Sequence, residues 1–196
     1  MIVGYHIIFG MYGFWLPNDP RGSWSEYVGS WDLFRYGPAT KTTETRSVAD
    51  RPHDHAQRRA AKQSLERPAV RLNGLQARAV GRGFAAYASK TGLPVWACAV
   101  LPDHVHLVVG VTAMKVESLV IQLKGSATEQ LRAESLHPFQ DQLDKHGRPH
   151  KCFARREWKV YLAQDDVPRA ITYAEKNPEK EGLPVQKWKF VTPYVV

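Results

Sequence analysis

An α+β fold, an antiparallel sheet with helices on one face and a separate C-terminal helix, is the class that this sequence predicts. Three observations predict it. Short β-rich runs alternate with amphipathic helical stretches in the order β, insertion, α, β, β, α, β, α. Two of these runs meet at Pro102-Asp103, a junction suited to a tight turn and so to a hairpin. The chain of 196 residues, 43% hydrophobic and 23% charged, suits one globular domain carrying an insertion. That order is the one expected of a ferredoxin-like sheet.

The elements follow in turn. Residues 2 to 9, IVGYHIIF, are β-branched and aromatic and read as a first strand near the centre of the sheet. Residues 17 to 64 carry several prolines and glycines among polar residues without a sustained period, and read as an irregular insertion. From about Leu72 to Lys90, apolar residues recur at helical spacing through Leu75, Ala79, Val80 and Phe84, and Gly92 and Pro94 close the helix. PVWACAVLP and DHVHLVVGV form the hairpin. Residues 115 to 134 place Val116, Leu119, Val120 and Leu123 on one stripe of a second helix. After a polar loop, REWKVYLA reads as a strand and DDVPRAITYAEKN as the last helix, with Asp165 or Asp166 as its cap and Pro178 as its end.

Composition narrows the function classes. Lys and Arg number 27 against 19 Asp and Glu, a formal charge of +8, which favours polyanionic partners. No apolar run approaches the roughly 18 residues of a membrane span, and the N-terminus lacks a signal-peptide pattern. The expectation is a cytoplasmic protein with no membrane partner. Cys98 and Cys152 form neither a disulfide framework nor a CxxC metal pattern.

The chemistry concentrates in LPDHVHLVVG. Side chains alternate along a strand, so His104 and His106 share a face opposite Val105 and Leu107. Two residues span about 6.6 Å of strand, close enough for both imidazoles to reach one cation. A partly solvated strand face with two hydrogen-bonded histidines is the other reading. His53 and His55 repeat the spacing in a polar loop where nothing holds the backbone, and His6 is expected to stand behind the site at most.

A catalytic ion needs a further ligand, and the last helix presents Tyr173 and Asn177 four residues apart on one face. An amide oxygen completing a metal site beside a phenol suits attack on a phosphodiester. A packing tyrosine and a plain helix-terminating asparagine are the alternatives, with Glu175 a rival ligand. In KCFARREWKVYLA, basic residues interleave with rings, which suits phosphate contact and base stacking. Arg155, Arg156, Trp158 and Lys159 are the candidates there, with Lys124 and Arg21 as weaker ones; an edge strand burying its aromatics is the competing reading.

Together LPDHVHLVV, TYAEKNPEKEGL and YHIIFGMYGFWLPNDPRGSW make the chain resemble the REP-associated tyrosine transposases, a group of HUH-type single-tyrosine transposases. The resemblance implies Mg²⁺ or Mn²⁺ held by His104, His106 and Asn177, and Tyr173 as the nucleophile that cleaves single-stranded DNA through a 5′-phosphotyrosine. It implies a single HUH domain over 1–196, hairpin-forming DNA ends as partner, and a monomer or homodimer. Asp103 departs from it, standing where many relatives have Asn. A non-catalytic descendant that binds structured single-stranded DNA or RNA, and a hydrolase using activated water, are the competing functions.

Overall fold

The computed structural model describes residues 1–19, 28, 30–39 and 52–195. Its centre is a four-stranded antiparallel sheet in the order β2-β3-β1-β4, formed by β1 (Ile2–Gly10), β2 (Val95–Val100), β3 (His104–Gly110) and β4 (Trp158–Ala163). The helices are α1 (Trp31–Phe34), α2 (His55–Gln63), α3 (Gly74–Thr91), α4 (Val116–Ala133) and α5 (Val167–Lys180). The expected ferredoxin-like order is therefore observed.

Period-2 alternation sorts the sheet into two faces. Ile7, Phe9, Val105, Leu107 and Val109 join Val80, Phe84, Leu119 and Leu123 in the main core beneath α3 and α4. Each such side chain, once buried, contributes about 1.5–3 kcal/mol. The opposite face carries Ala97, Val108 and Leu162, which pack against Val167, Ala170 and Ala174 of α5. Small residues on both sides bring α5 close to the sheet, and the same face carries the histidines.

Local signals explain the helix ends. Asn73 caps α3 through a reciprocal capping box with Gln76, and Gly92 ends it at φ 68°. Gly83 lets α3 and α4 touch: Ser126 Oγ donates to its carbonyl at 2.8 Å, and a Cβ there would meet the Cα of Ala127 at 2.6 Å. The exposed edge of β2 is covered by the C-terminal segment, where the Gln186 amide bonds both the N–H and the C=O of Val100 at 2.8 Å.

Two expectations need correction. The segment 17–64 is not irregular throughout: residues 55–63 form α2, capped by Asp54, whose carboxylate accepts from Gln57 N at 2.9 Å. Ala, Gln, Arg and Lys are strong helix formers, and nine residues sufficed once that cap was in place. Nor does Pro178 end α5, which runs on to Lys180 with Pro178 buried in its last turn. No helix among the described residues is long and apolar enough to cross a membrane.

Candidate active site

The register of β1 against β3 builds the site. His6, Ile8 and Gly10 pair with Val108, His106 and His104, so all six stand on the α5 side of the sheet. His104 and His106 therefore share a face as expected, with ring centroids 4.9 Å apart. His6 is closer than expected: its Nε2 lies 3.1 Å from His106 Nδ1, and the two rings stack at 5.3 Å.

Each imidazole of the HxH pair is oriented through Nδ1. His104 Nδ1 lies 2.8 Å from Asp103 Oδ1. A carboxylate only accepts, so the proton sits on Nδ1 and the lone pair on Nε2. His106 Nδ1 meets His6 in the same way, and donation to His6 Nε2 leaves the His106 Nε2 lone pair available too. Metal-binding histidines characteristically have such partners, which set tautomer and ring direction. Arg71 in turn bonds Asp103 Oδ2 at 3.3 Å.

Burial holds the inner rings neutral, the state a ligand requires. It lowers the His6 pKa to about 4. It also pushes His106 well below the ordinary histidine value, with the charges of His104, His6 and Lys180 adding to the effect.

Phe14 packs against the outer ring. Its plane lies 12° from that of His104, with centroids 4.8 Å apart. Gly10 permits this, since a Cβ at that position, directly across from His104, would come within 2.6 Å of Phe14 Cδ1.

From above, α5 lowers Tyr173 onto the inner pair. Its ring lies 5.7 Å from His6 and 5.6 Å from His106, centroid to centroid, yet the residue stays 37% exposed. Partial burial raises the phenol pKa, so the side chain stays protonated unless a positive charge stands nearby. One turn on, Asn177 is buried and its Nδ2 donates to the Tyr173 carbonyl at 2.7 Å. A carbonyl accepts only from the amide nitrogen, so the Oδ1 lone pairs lie outside this bond.

The extra turn of α5 brings a residue that sequence reasoning missed. Asp103, His104 and Glu181 offer ligand atoms that all lie within 4.8 Å of one another. Glu175, the rival carboxylate, is not in that group, although both glutamates are exposed. Tyr173, Asn177 and Glu181 recur every four residues, and that spacing was the available signal once α5 is allowed to pass Pro178.

The expected nucleic-acid contacts separate. Trp158 pairs with Ile8, which also pairs with His106, so its indole shares the histidine face one strand out. Lys159 falls on the opposite face, ion-paired with Glu117 of α4. Lys124 donates to the carbonyls of Ala154 and Arg156 at 2.9 and 3.2 Å and lies over the Phe9 ring. It thereby tethers the segment carrying Arg155 and Arg156, both exposed. Ala154 N donates to Gly10 O at 2.9 Å, which sets those arginines at the His104 end of the sheet. Arg21 lies outside the described residues. His53 and His55 lie beside each other with ring centroids 4.1 Å apart, and His53 is bonded to Arg58 of α2.

No family model matches the chain, and no curated protein does. Among solved structures it is similar to a REP-associated tyrosine transposase bound to a REP hairpin, at 11% identity and TM-score 0.48, over 93% of this chain and 70% of the other. It is also similar to a candidate transposase from Deinococcus radiodurans, at 15% identity and TM-score 0.38, over 90% of this chain and 91% of that one.

Proposed function

We propose that the protein cleaves and rejoins single-stranded DNA, with Tyr173 as nucleophile and a divalent cation held by His104, His106 and Asn177. The observation that carries this reading is the pairing of both Nδ1 atoms, His104 with Asp103 and His106 with His6, the second pair lying against the Tyr173 ring. A strand with two incidental histidines has no need of two separate orienting partners. Glu181, beside His104, adds a hard oxygen donor to the same set. Two imidazoles with amide and carboxylate oxygens suit Mn²⁺ or Mg²⁺ in the presence of phosphate oxygens.

When bound, the ion would polarise a non-bridging phosphodiester oxygen and offset the charge that develops there. The chain's own residues do the rest. His6 and Asp103 keep the two rings directed, and α5 places the phenol above them. The Tyr173 oxygen forms a bond to phosphorus as its proton leaves, while the bond from phosphorus to the 3′ oxygen breaks and that oxygen takes up a proton. Cleavage thus leaves a 5′-phosphotyrosine and a free 3′-OH. Attack by another 3′-OH reverses each bond change, releases the tyrosine and joins the strands without an external energy source. Trp158, on the histidine face, offers a ring for an unstacked base, and Arg155 and Arg156 offer charge for phosphates.

The test is incubation with labelled single-stranded hairpin DNA and Mg²⁺ or Mn²⁺, followed by denaturing electrophoresis. A denaturation-resistant adduct that disappears in Tyr173→Phe is the expected result. Cleavage without adduct would assign the chemistry to activated water, and binding without cleavage would leave a DNA-binding protein only.

A further inference from the structure

We propose that the exposed flank of α5 is the track along which the phosphodiester backbone of a single DNA strand reaches Tyr173. Arg169, Tyr173, Lys176 and Lys180 fall at steps of four, three and four residues, which aligns them in one row along the helix. At about 100° per residue, Glu175 and Glu181 stand roughly 110–130° from the middle of that row, while Glu179, three residues from Lys176, borders it about 60° from that lysine. Charge is therefore sorted on α5: cations line the row and carboxylates flank it.

Shape agrees with charge. A surface concavity of ≈ 490 Å³ follows the row and is lined by Pro168, Arg169, Thr172, Tyr173, Lys176 and Lys180. The phenol and three cations thus line one concavity. Lys180 Nζ stands 4.5 Å from the centroid of the Tyr173 ring, so one cation of the row touches the reacting side chain. Arg169 is bonded to Asp166 Oδ1 at 3.1 Å, yet its side chain remains 86% exposed and keeps further donors for a phosphate. A strand in this concavity meets phosphate-binding charge on both sides of the phenol, as a nucleophile acting on an internal phosphodiester requires.

The proposal depends on the strand-transfer reading for the identity of the polyanion, and its test is separate from the chemistry. In a Tyr173→Phe background with EDTA, binding of a fluorescein-labelled single strand of about 20 nucleotides, longer than the ~16 that a small domain covers, is followed by anisotropy across a salt titration. The triple variant Arg169→Ala, Lys176→Ala, Lys180→Ala is expected to flatten the log–log salt slope by about 2, since each phosphate contact on a single strand accounts for about 0.7. Affinity falls at least ~10-fold. The control triple Arg78→Ala, Lys90→Ala, Lys145→Ala removes the same charge from exposed sites elsewhere and should leave the slope unchanged. Thermal unfolding checks that each variant is folded, and a Gln triple at the same three positions repeats the test if the Ala triple is not. Equal losses in both triples, no loss in the α5 triple, or a parent protein that does not bind the strand overturns the track. A track that holds without any adduct in the unmutated protein refutes the chemistry alone, and an adduct formed equally well by the α5 triple refutes the track alone.

Discussion

His6 Nε2 lies 3.1 Å from His106 Nδ1, across the central pair of strands, where β1 and β3 carry their histidines on the same face. This contact turns an HxH pair into an oriented set: one ring is directed by a carboxylate, the other by a third imidazole.

Removing His6 should therefore weaken metal binding without touching a ligand. His6→Leu leaves His106 Nδ1 unpaired, and loss of such a partner typically lowers affinity 10–100-fold. Titration with Mn²⁺ followed by EPR of the free ion measures it directly. Unchanged affinity would show that His106 is held by packing alone.

Stability should depend on pH through the same rings. The folded pKa of His6 is about 4, below the ordinary 6.5, so the unfolded chain binds more protons between these values. Stability is complete above pH ~6.5 and falls as pH drops toward 4, with a slope of up to about 1.4 kcal/mol per pH unit from this one group. His106 is shifted in the same direction and steepens the fall. Denaturant unfolding in metal-free buffer at pH 7, 6 and 5 should show the decline, and His6→Leu should reduce it; a flat profile refutes neutral burial.

The two carboxylates of the last helix should behave differently. Glu181→Gln should weaken Mn²⁺ binding, whereas Glu175→Gln should leave it within about twofold, because only Glu181 approaches His104. Losing one charged oxygen ligand out of several costs on the order of tenfold. Calorimetry of both variants compares them, and a larger loss in Glu175→Gln would reverse the assignment.

Gly10→Ala tests the support of the outer ring. The added methyl meets Phe14 at 2.6 Å and must drive it from the His104 plane. Overpacking of this kind costs about 1–3 kcal/mol, visible as a lower Tm. His104 loses its stacking partner, so Mn²⁺ affinity should fall together with stability. A variant as stable as the parent would mean that Phe14 moves freely.

Lys124→Met removes the donor to Ala154 and Arg156 while keeping an apolar stem against Phe9. Two carbonyls lose a charged donor, a loss of about 1–3 kcal/mol. Amide exchange in 152–157 should accelerate more than in the sheet. If it does not, the tether is dispensable.

Much of this arrangement follows from the sequence by itself. Alternation in HVHLVV determined that His104 and His106 share a face, because a strand repeats every two residues whatever packs on it. Helical spacing likewise placed Tyr173 beside Asn177, and the order of elements pointed to the sheet, since one tight hairpin and two helical crossovers leave few un-knotted ways to arrange four strands. These are local rules, legible without neighbours.

Contacts between distant segments were decided by tertiary structure alone. His6 and His106 are 100 residues apart, and only the β1–β3 register sets one ring against the other; a shift of one residue would turn His6 to the opposite face. Alternation alone puts Trp158 and Lys159 on opposite faces, but only the β1–β4 register, which pairs Trp158 with Ile8, decides that the tryptophan takes the histidine face. Pro178 suggested a helix end, yet in the last turn its missing N–H leaves few bonds unmade. Packing against the sheet carries α5 on to Lys180 and brings Glu181 to His104. Periodicity determines which side of an element a residue occupies, whereas what it meets there depends on how elements far apart in the chain are brought together to bury apolar surface.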